Sequence, residues 1–315
     1  MSQHDINTTH TTPRLGRAIR RIAAAFVVSA LVVGACTSSH DSSRLPSATS
    51  STARPTPSST IAATTRDPLL IAARATVPVL CYHQIREWRV GESELSRGLT
   101  TPPALFAEQM AFLAENGFHP VSPADYYDHL VRGVELPTKP VMLTFDDGHI
   151  SQMTVVPVLQ KYGFTATFFL MTVVIGKPNW IKTDQIRELD AMGYTIGAHT
   201  YDHQNLAKLP AAGFLKQVVA SRQRLEAIIG HPIRFFAYPF GAWNTRTLTE
   251  MGGMNFDAAF QLGDHQLDAT HPLMTLRRQI ANPLTGMPGF RRQVSPAGDL
   301  GTGGAPNSPS STRAD

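Results

Sequence analysis

Cysteine is scarce in this chain, two in 315 residues, so a fold of this size takes its stability from a buried core and not from a disulfide framework. A surplus of charge is missing as well. The formal net charge is +4, and residues 1–35 hold Arg14, Arg17, Arg20 and Arg21 against Asp5, a surplus of +3 that leaves +1 for the rest. The basic balance belongs to the leader, which removes any electrostatic argument for a nucleic-acid partner. Long apolar runs are absent too: the best of them, residues 22–33, is too short for a comfortable membrane span. There is no internal repeat.

The residues that are present divide the chain into segments. A basic region, a short apolar region and the small residues Gly34 and Ala35 before Cys36 make a secretory signal peptide. The stretch Val33-Gly34-Ala35-Cys36 resembles the lipobox of bacterial lipoproteins. That resemblance implies removal of residues 1–35, a lipid on Cys36, and attachment to the extracytoplasmic face of the cell membrane. With Cys36 lipidated, Cys81 has no partner for a disulfide. Residues 36–75 are mostly Ser, Thr, Pro and Ala as far as about Arg66, a composition that cannot bury enough apolar surface to offset the entropy of ordering, and they read as a tether. Residues 289–315, rich in Gly, Pro and Ser, read as a disordered tail. Residues 76–288 remain as one domain with a substantial core.

That domain alternates. Strands are expected at 77–83, 118–121, 141–145, 165–171, 195–199, 234–238, 257–262 and 274–280. Helices are expected at 104–116 behind a Thr101 cap, at 122–133, 150–162 and 184–192 behind a Thr183 cap, and at 211–229, where Phe214, Val218, Leu225 and Ile229 recur at helical spacing. Such alternation implies a parallel sheet, closed into a barrel or left open between helices. Ligands of these folds sit at the C-terminal ends of the strands. There stand His83, Asp146 with Asp147, His199, and the run Tyr238-Pro239-Phe240-Gly241.

In VMLTFDDG, residues 141–148, an apolar run ends in two carboxylates and a glycine. Adjacent aspartates within a strand point to opposite faces, so only a strand terminus lets both reach one pocket. An Asp-Asp-Gly turn that merely leaves the strand would account for the same letters. His199 and His203 form an H-x-x-x-H pair, and on one turn of helix that spacing places both imidazoles on one side. A strand-end carboxylate added to them gives Asp-His-His, three protein ligands with a coordination position left open, as at catalytic metals.

TFDDG, HTYDH, and the FAYPFG that ends at Gly241 together resemble the first three motifs of the polysaccharide deacetylases, the NodB-homology enzymes of carbohydrate esterase family four. The resemblance covers about residues 77–281. It implies a distorted (β/α) barrel of about seven strands and metal-dependent removal of N-acetyl groups from amino sugars. Asp146 would be the general base, and Asp147, His199 and His203 would hold one divalent ion; zinc suits that set, with cobalt or nickel admitted. Tyr238, Pro239 and Phe240 would face substrate and oxyanion.

Two departures mark a branch. Ala237 stands where the third motif often has arginine, and the domain opens with VPVLCYHQI, residues 77–85. The opening resembles the biofilm poly-N-acetylglucosamine deacetylases, whose catalytic acid lies in an N-terminal Tyr-His. His83 is then the acid, and Arg278 resembles that branch's late arginine, which orients the base. The implied partners are a polysaccharide rich in N-acetylglucosamine and, through the lipid, a membrane. Peptidoglycan and acetylxylan stay open as substrates, as does a tethered carbohydrate-binding protein without turnover, for which the missing arginine is the best argument. Trp88, Trp180 and Trp243 fall in loops after strands, where flat faces could stack on sugar rings or simply pack.

Overall fold

The computed structural model describes residues 64–263 and 265–295; the leader, Cys36 and most of the tether lie outside them. Seven strands make the main path of an eight-stranded sheet: β1 (Val79–Tyr82), β2 (Pro140–Asp147), β3 (Thr167–Leu170), β4 (Thr195–Ala198), β5 (Phe235–Ala237), β6 (Ala258–Phe260) and β7 (Gln279–Ile280), while His119–Pro120 pairs beside the start of β2, off that path. All pair in parallel, in the order β7-β1-β2-β3-β4-β5-β6. Register aligns Tyr82 with Phe145, Asp147 with Leu170, Leu170 with Ala198, and Ala237 with Phe260, so the C-terminal ends share one rim.

The sheet curls until its edges meet. Residues 276–280 serve both edges: the Leu276 N–H donates to Ala259 O, Gln261 N–H to Leu276 O, and Gly263 N–H to Arg278 O, while Gln279 and Ile280 pair with Leu80 and Cys81. The result is a distorted barrel. Alternation then sorts the side chains. Leu80, Tyr82, Leu143, Phe145, Phe168 and Phe236 face outward under the helices, which include Pro103–Glu115, Thr183–Ala191 and Ser221–Ile229. Val79, Met142, Phe169, Phe235, Phe260 and Leu276 belong to a second cluster. Gly197 on β4 is required by this packing, because a Cβ there would lie 2.4 Å from the Phe169 ring.

Several expected boundaries move. Helix Pro68–Arg74 is folded although it falls inside the expected tether: Asp67 caps it, Ile71 is buried, and Arg74 Nη1 donates to Leu130 O at 2.9 Å. Helix Gly286–Val294 likewise carries the domain past residue 288, with Phe290 and Val294 in the core. A single buried face in each outweighs the polar composition around it. Thr101 is not a cap, being paired in a two-stranded ribbon with Ile85; Pro102 precedes that helix, and Lys182, not Thr183, is the cap residue of the later one. The expected helix at 211–229 opens with a π-helical turn, Leu215–Ala220, and the one at 150–162 with a 3-10 segment, Ile150–Val155. The last strand shrinks to Gln279–Ile280, since Pro272 nucleates a 3-10 turn at Pro272–Met274.

Candidate active site

The site stands on the C-terminal rim and begins with how β2 ends. Asp147 adopts φ 77°, in the left-handed region, and Gly148 follows at 84°. That turn breaks the alternation of the strand. Asp146 therefore stays buried while Asp147 swings to His199, with Oδ1 at 3.4 Å from Nε2 of both His199 and His203. One donor atom from each of the three lies within 4.8 Å of the others.

His199 Nδ1 is 2.8 Å from Ala237 O. A carbonyl can only accept, so Nδ1 carries the proton and Nε2 presents its lone pair. The two histidines do not share a helical turn, contrary to the spacing argument. Thr200 and His203 have φ 67° and 63°, and the turn is held by Thr200 Oγ1, which accepts from His203 N–H, and by Gln217 Oε1, which accepts from the N–H groups of Tyr201 and Asp202. Left-handed residues reverse the chain where a helix would carry His203 onward. Left-handed non-glycine residues cost free energy, and here Asp147, Thr200, His203 and Phe240 cluster at one place, as strain does at functional sites.

Two buried atoms of this group, Asp147 Oδ1 and His199 Nε2, have no hydrogen-bond partner. Unpartnered polar atoms are expensive inside a protein, and a carboxylate oxygen beside an imidazole lone pair is a donor set that a divalent ion completes. The electrostatics agree. Burial pushes the His199 imidazole towards neutrality, yet the Asp146 and Asp147 carboxylates together raise its pKa above the usual value, so the pocket draws positive charge. His203 moves the other way, through burial and then the repulsion of His199. The residues present fit a metal.

Asp146 lies beside that set, its Oδ2 3.9 Å from His199 Nε2. Arg278, fully buried, grips it with two bonds, Nη1 to Oδ1 at 2.6 Å and Nη2 to Oδ2 at 2.8 Å. Burial alone would raise the Asp146 carboxyl, but the Arg278 charge outweighs it, with His199 and His83 helping, and holds it well below the usual carboxylate range. Arg278 is itself fixed by Gln261 O, Thr144 Oγ1 and the Phe169 ring.

Sequence reasoning missed three residues. Cys81 Sγ donates to Asp146 Oδ2 at 3.4 Å. Gln261 holds Trp243 Nε1 through Oε1 and Arg278 Nε through its backbone oxygen. Gln152, fully buried, donates from Nε2 to Asp146 O at 2.5 Å and to His83 O at 2.8 Å, tying the ends of β1 and β2 together. Only buried glutamine in an otherwise polar turn could have signalled it, and sequence does not display burial. Gln152→Met keeps the volume but orphans both carbonyls, so stability should fall by about 2 kcal/mol. Turnover should fall roughly tenfold with KM little changed, a split read from steady-state kinetics on the folded variant.

Of the expected substrate-facing residues, Phe240 lies at the surface beside the donor set, 64% exposed and with its ring centroid 4.5 Å from that of His203. Tyr238 does not. Its ring is fully buried in the core, and its N–H donates to Phe260 O, because strand pairing continues one residue past β5. Pro239 has no N–H, and Gly241 N–H returns to Tyr238 O. Gly241 is obligatory, since a Cβ would stand 2.3 Å from Leu262 N. Trp180 packs on His149, and Trp88 is tied to Thr100 O under Arg97.

A parallel α/β barrel carrying an Asp-His-His donor set and an arginine-held carboxylate on its C-terminal rim defines a class, the NodB-type barrels. Residues 133–259 match the family model described as polysaccharide deacetylase. YxkH of Bacillus subtilis, whose name assigns it provisionally to the polysaccharide deacetylases, is 29% identical over 175 residues, 55% of this chain and 60% of that one. The peptidoglycan-N-acetylglucosamine deacetylase of Bacillus cereus is 34% identical over 104 residues, 32% and 36% of the two chains. The poly-beta-1,6-N-acetyl-D-glucosamine N-deacetylase of Escherichia coli is 39% identical over 84 residues, 26% and 12%. The chain thus spans less than two thirds of each of these relatives. Among solved structures, the Streptococcus pyogenes deacetylase PplD in complex with acetate superposes with TM-score 0.64 at 25% identity, over 70% of this chain and 99% of that one. IcaB from Ammonifex degensii gives 0.59 at 25%, over 70% and 97%.

Proposed function

We propose that this protein is a metal-dependent hydrolase that removes acetyl groups from an N-acetylglucosamine-containing polysaccharide at the cell surface. The observation that carries the reading is the pairing of the Asp147, His199 and His203 donor set with Asp146, held ionised by Arg278 at its side. Zinc suits these ligands, and cobalt or nickel are admitted. Such an ion, when bound, supplies Lewis acidity towards the acetamide carbonyl and lowers the pKa of water to about 7.

The chain's own residues do the rest. Asp146 accepts a proton from water as the water oxygen bonds to the carbonyl carbon. The N–H groups of Tyr238, Gly241 and Ala242 are spent on Phe260 O, Tyr238 O and Pro239 O, and the N–H of Phe240 is assigned to the developing oxyanion. His83, at the end of β1 and half-buried, holds the proton that the departing nitrogen needs as the C–N bond breaks; acetate and a free amine result. The exposed Phe240 ring offers a sugar face a flat apolar support. Arg278 occupies the role left open by Ala237, so the missing third-motif arginine ceases to favour a binding protein without turnover.

Acetate release from a panel of acetylated glycans, using metal-reconstituted protein, tests the reading. Poly-N-acetylglucosamine oligomers should release acetate, and His83→Ala should cut that rate by roughly a hundredfold. Replacing His119, His129, His149, His231, His265 or His271 should not. Near-normal turnover of His83→Ala with one of those essential would place the acid later in the chain. Preference for peptidoglycan glycan or acetylxylan would redirect the substrate.

Among the described residues no helix is long and apolar enough to cross a membrane. Anchoring is instead proposed through lipid on Cys36, because a lipoprotein's several acyl chains hold where one would bind weakly. Cys36→Ala should move the protein from the detergent to the aqueous phase; unchanged partitioning would reject anchoring there.

A further inference from the structure

A second group of metal-ligating side chains lies against the first and belongs to none of its coordination. Cys81, His83 and Asp146 each place one donor atom within 4.8 Å of the others. Cys81 Sγ is 3.4 Å from Asp146 Oδ2 and 4.0 Å from His83 Nδ1. We propose that these three residues form an inhibitory site for a thiophilic divalent cation, such as cadmium or excess zinc.

The geometry is close to what such an ion requires. Bonds of about 2.3 Å to sulfur and about 2.0–2.1 Å to nitrogen or oxygen put tetrahedral donors roughly 3.3–3.6 Å apart. The sulfur–carboxylate edge already has that length, and the sulfur–imidazole edge closes by a small rotation of the half-buried His83 ring. The donor chemistry separates the two sites. Asp147, His199 and His203 offer only oxygen and nitrogen, whereas a thiolate selects softer ions. Binding forms the metal–sulfur bond as the Cys81 S–H proton leaves to solvent, with no change of oxidation state. Arg278, 2.8 Å from Oδ2, opposes a second cation, and the negative charge gained at sulfur offsets it. The functional consequence rests on the proposed roles of His83 and Asp146, since an ion held between them occupies the lone pairs through which acid and base would act.

The test uses the full chain with Cys36→Ala, which leaves Cys81 as its one thiol, loaded with one equivalent of zinc and titrated with cadmium. A second ion should bind with thiolate-to-cadmium absorption in the ultraviolet, and acetate release should fall tenfold or more. Cys81→Ser should lose that absorption and, relative to its own starting rate, the inhibition. His83→Gln keeps the thiol and should weaken cadmium binding at least tenfold, so it reports even where Cys81→Ser folds poorly. Saturating cadmium without thiolate absorption, or undiminished affinity in folded His83→Gln, would overturn the proposal. A protein that shows the band and stoichiometry but releases no acetate from any glycan would refute the enzymatic reading and leave this site standing.

Discussion

Asp146→Asn is expected to reduce acetate release by roughly a hundredfold or more with the metal still bound. The substitution keeps shape and removes the proton acceptor. It also leaves Arg278, 0% exposed, as a buried cation without its counter-charge, a loss of about 3–5 kcal/mol. Turnover should therefore be measured well below the variant's melting temperature, alongside metal content. A folded, metal-loaded Asp146→Asn within tenfold of wild type would remove Asp146 as the base. The same pair sets a sign in pH. Its contribution to stability is present above the ordinary carboxylate value of about 3.9 and is lost only as pH falls through the depressed folded value. Any acidic limb of the rate profile near pH 5–6 must then belong to another group.

His199→Ala should abolish both metal binding and turnover. No other side chain in the pocket combines a buried lone pair with a second nitrogen locked by a backbone carbonyl at 2.8 Å. Chelator should silence the wild type, and added zinc or cobalt should restore it but leave the variant inactive. Elemental analysis is the deciding measurement: full activity with no metal present would falsify the mechanism.

Much of this was legible in the sequence because strand ends announce themselves. VMLTFDDG passes from buried to charged within two residues, and parallel alternation puts every such end on one rim, so Asp146, Asp147, His199 and Phe240 could be gathered without coordinates. The turn at 199–203 could not. H-x-x-x-H has the same spacing in a helix and in a reversal built on left-handed Thr200 and His203, and nothing local separates them. Tyr238 failed for a related reason: one more residue of pairing, to Phe260, turned a rim position into core. Arg278 and Gln152 act across more than a hundred and across 69 residues of chain, distances over which a single sequence carries almost no signal.

Closure of the barrel by residues 276–280 also fixes an order of events. Asp146 is synthesised 132 residues before the arginine that neutralises it. Until the last strand inserts between β6 and β1, the first half of the domain holds a carboxylate with no counter-ion and a sheet with two open edges. Long-range closure of this kind is slow, because the entropy of looping is lost before its contacts form. A chain truncated before Arg278 would retain Asp147, His199 and His203 but leave Asp146 without the cation that pairs with it. The Asp146 carboxylate therefore gains its counter-charge only when residues 276–280 close the sheet.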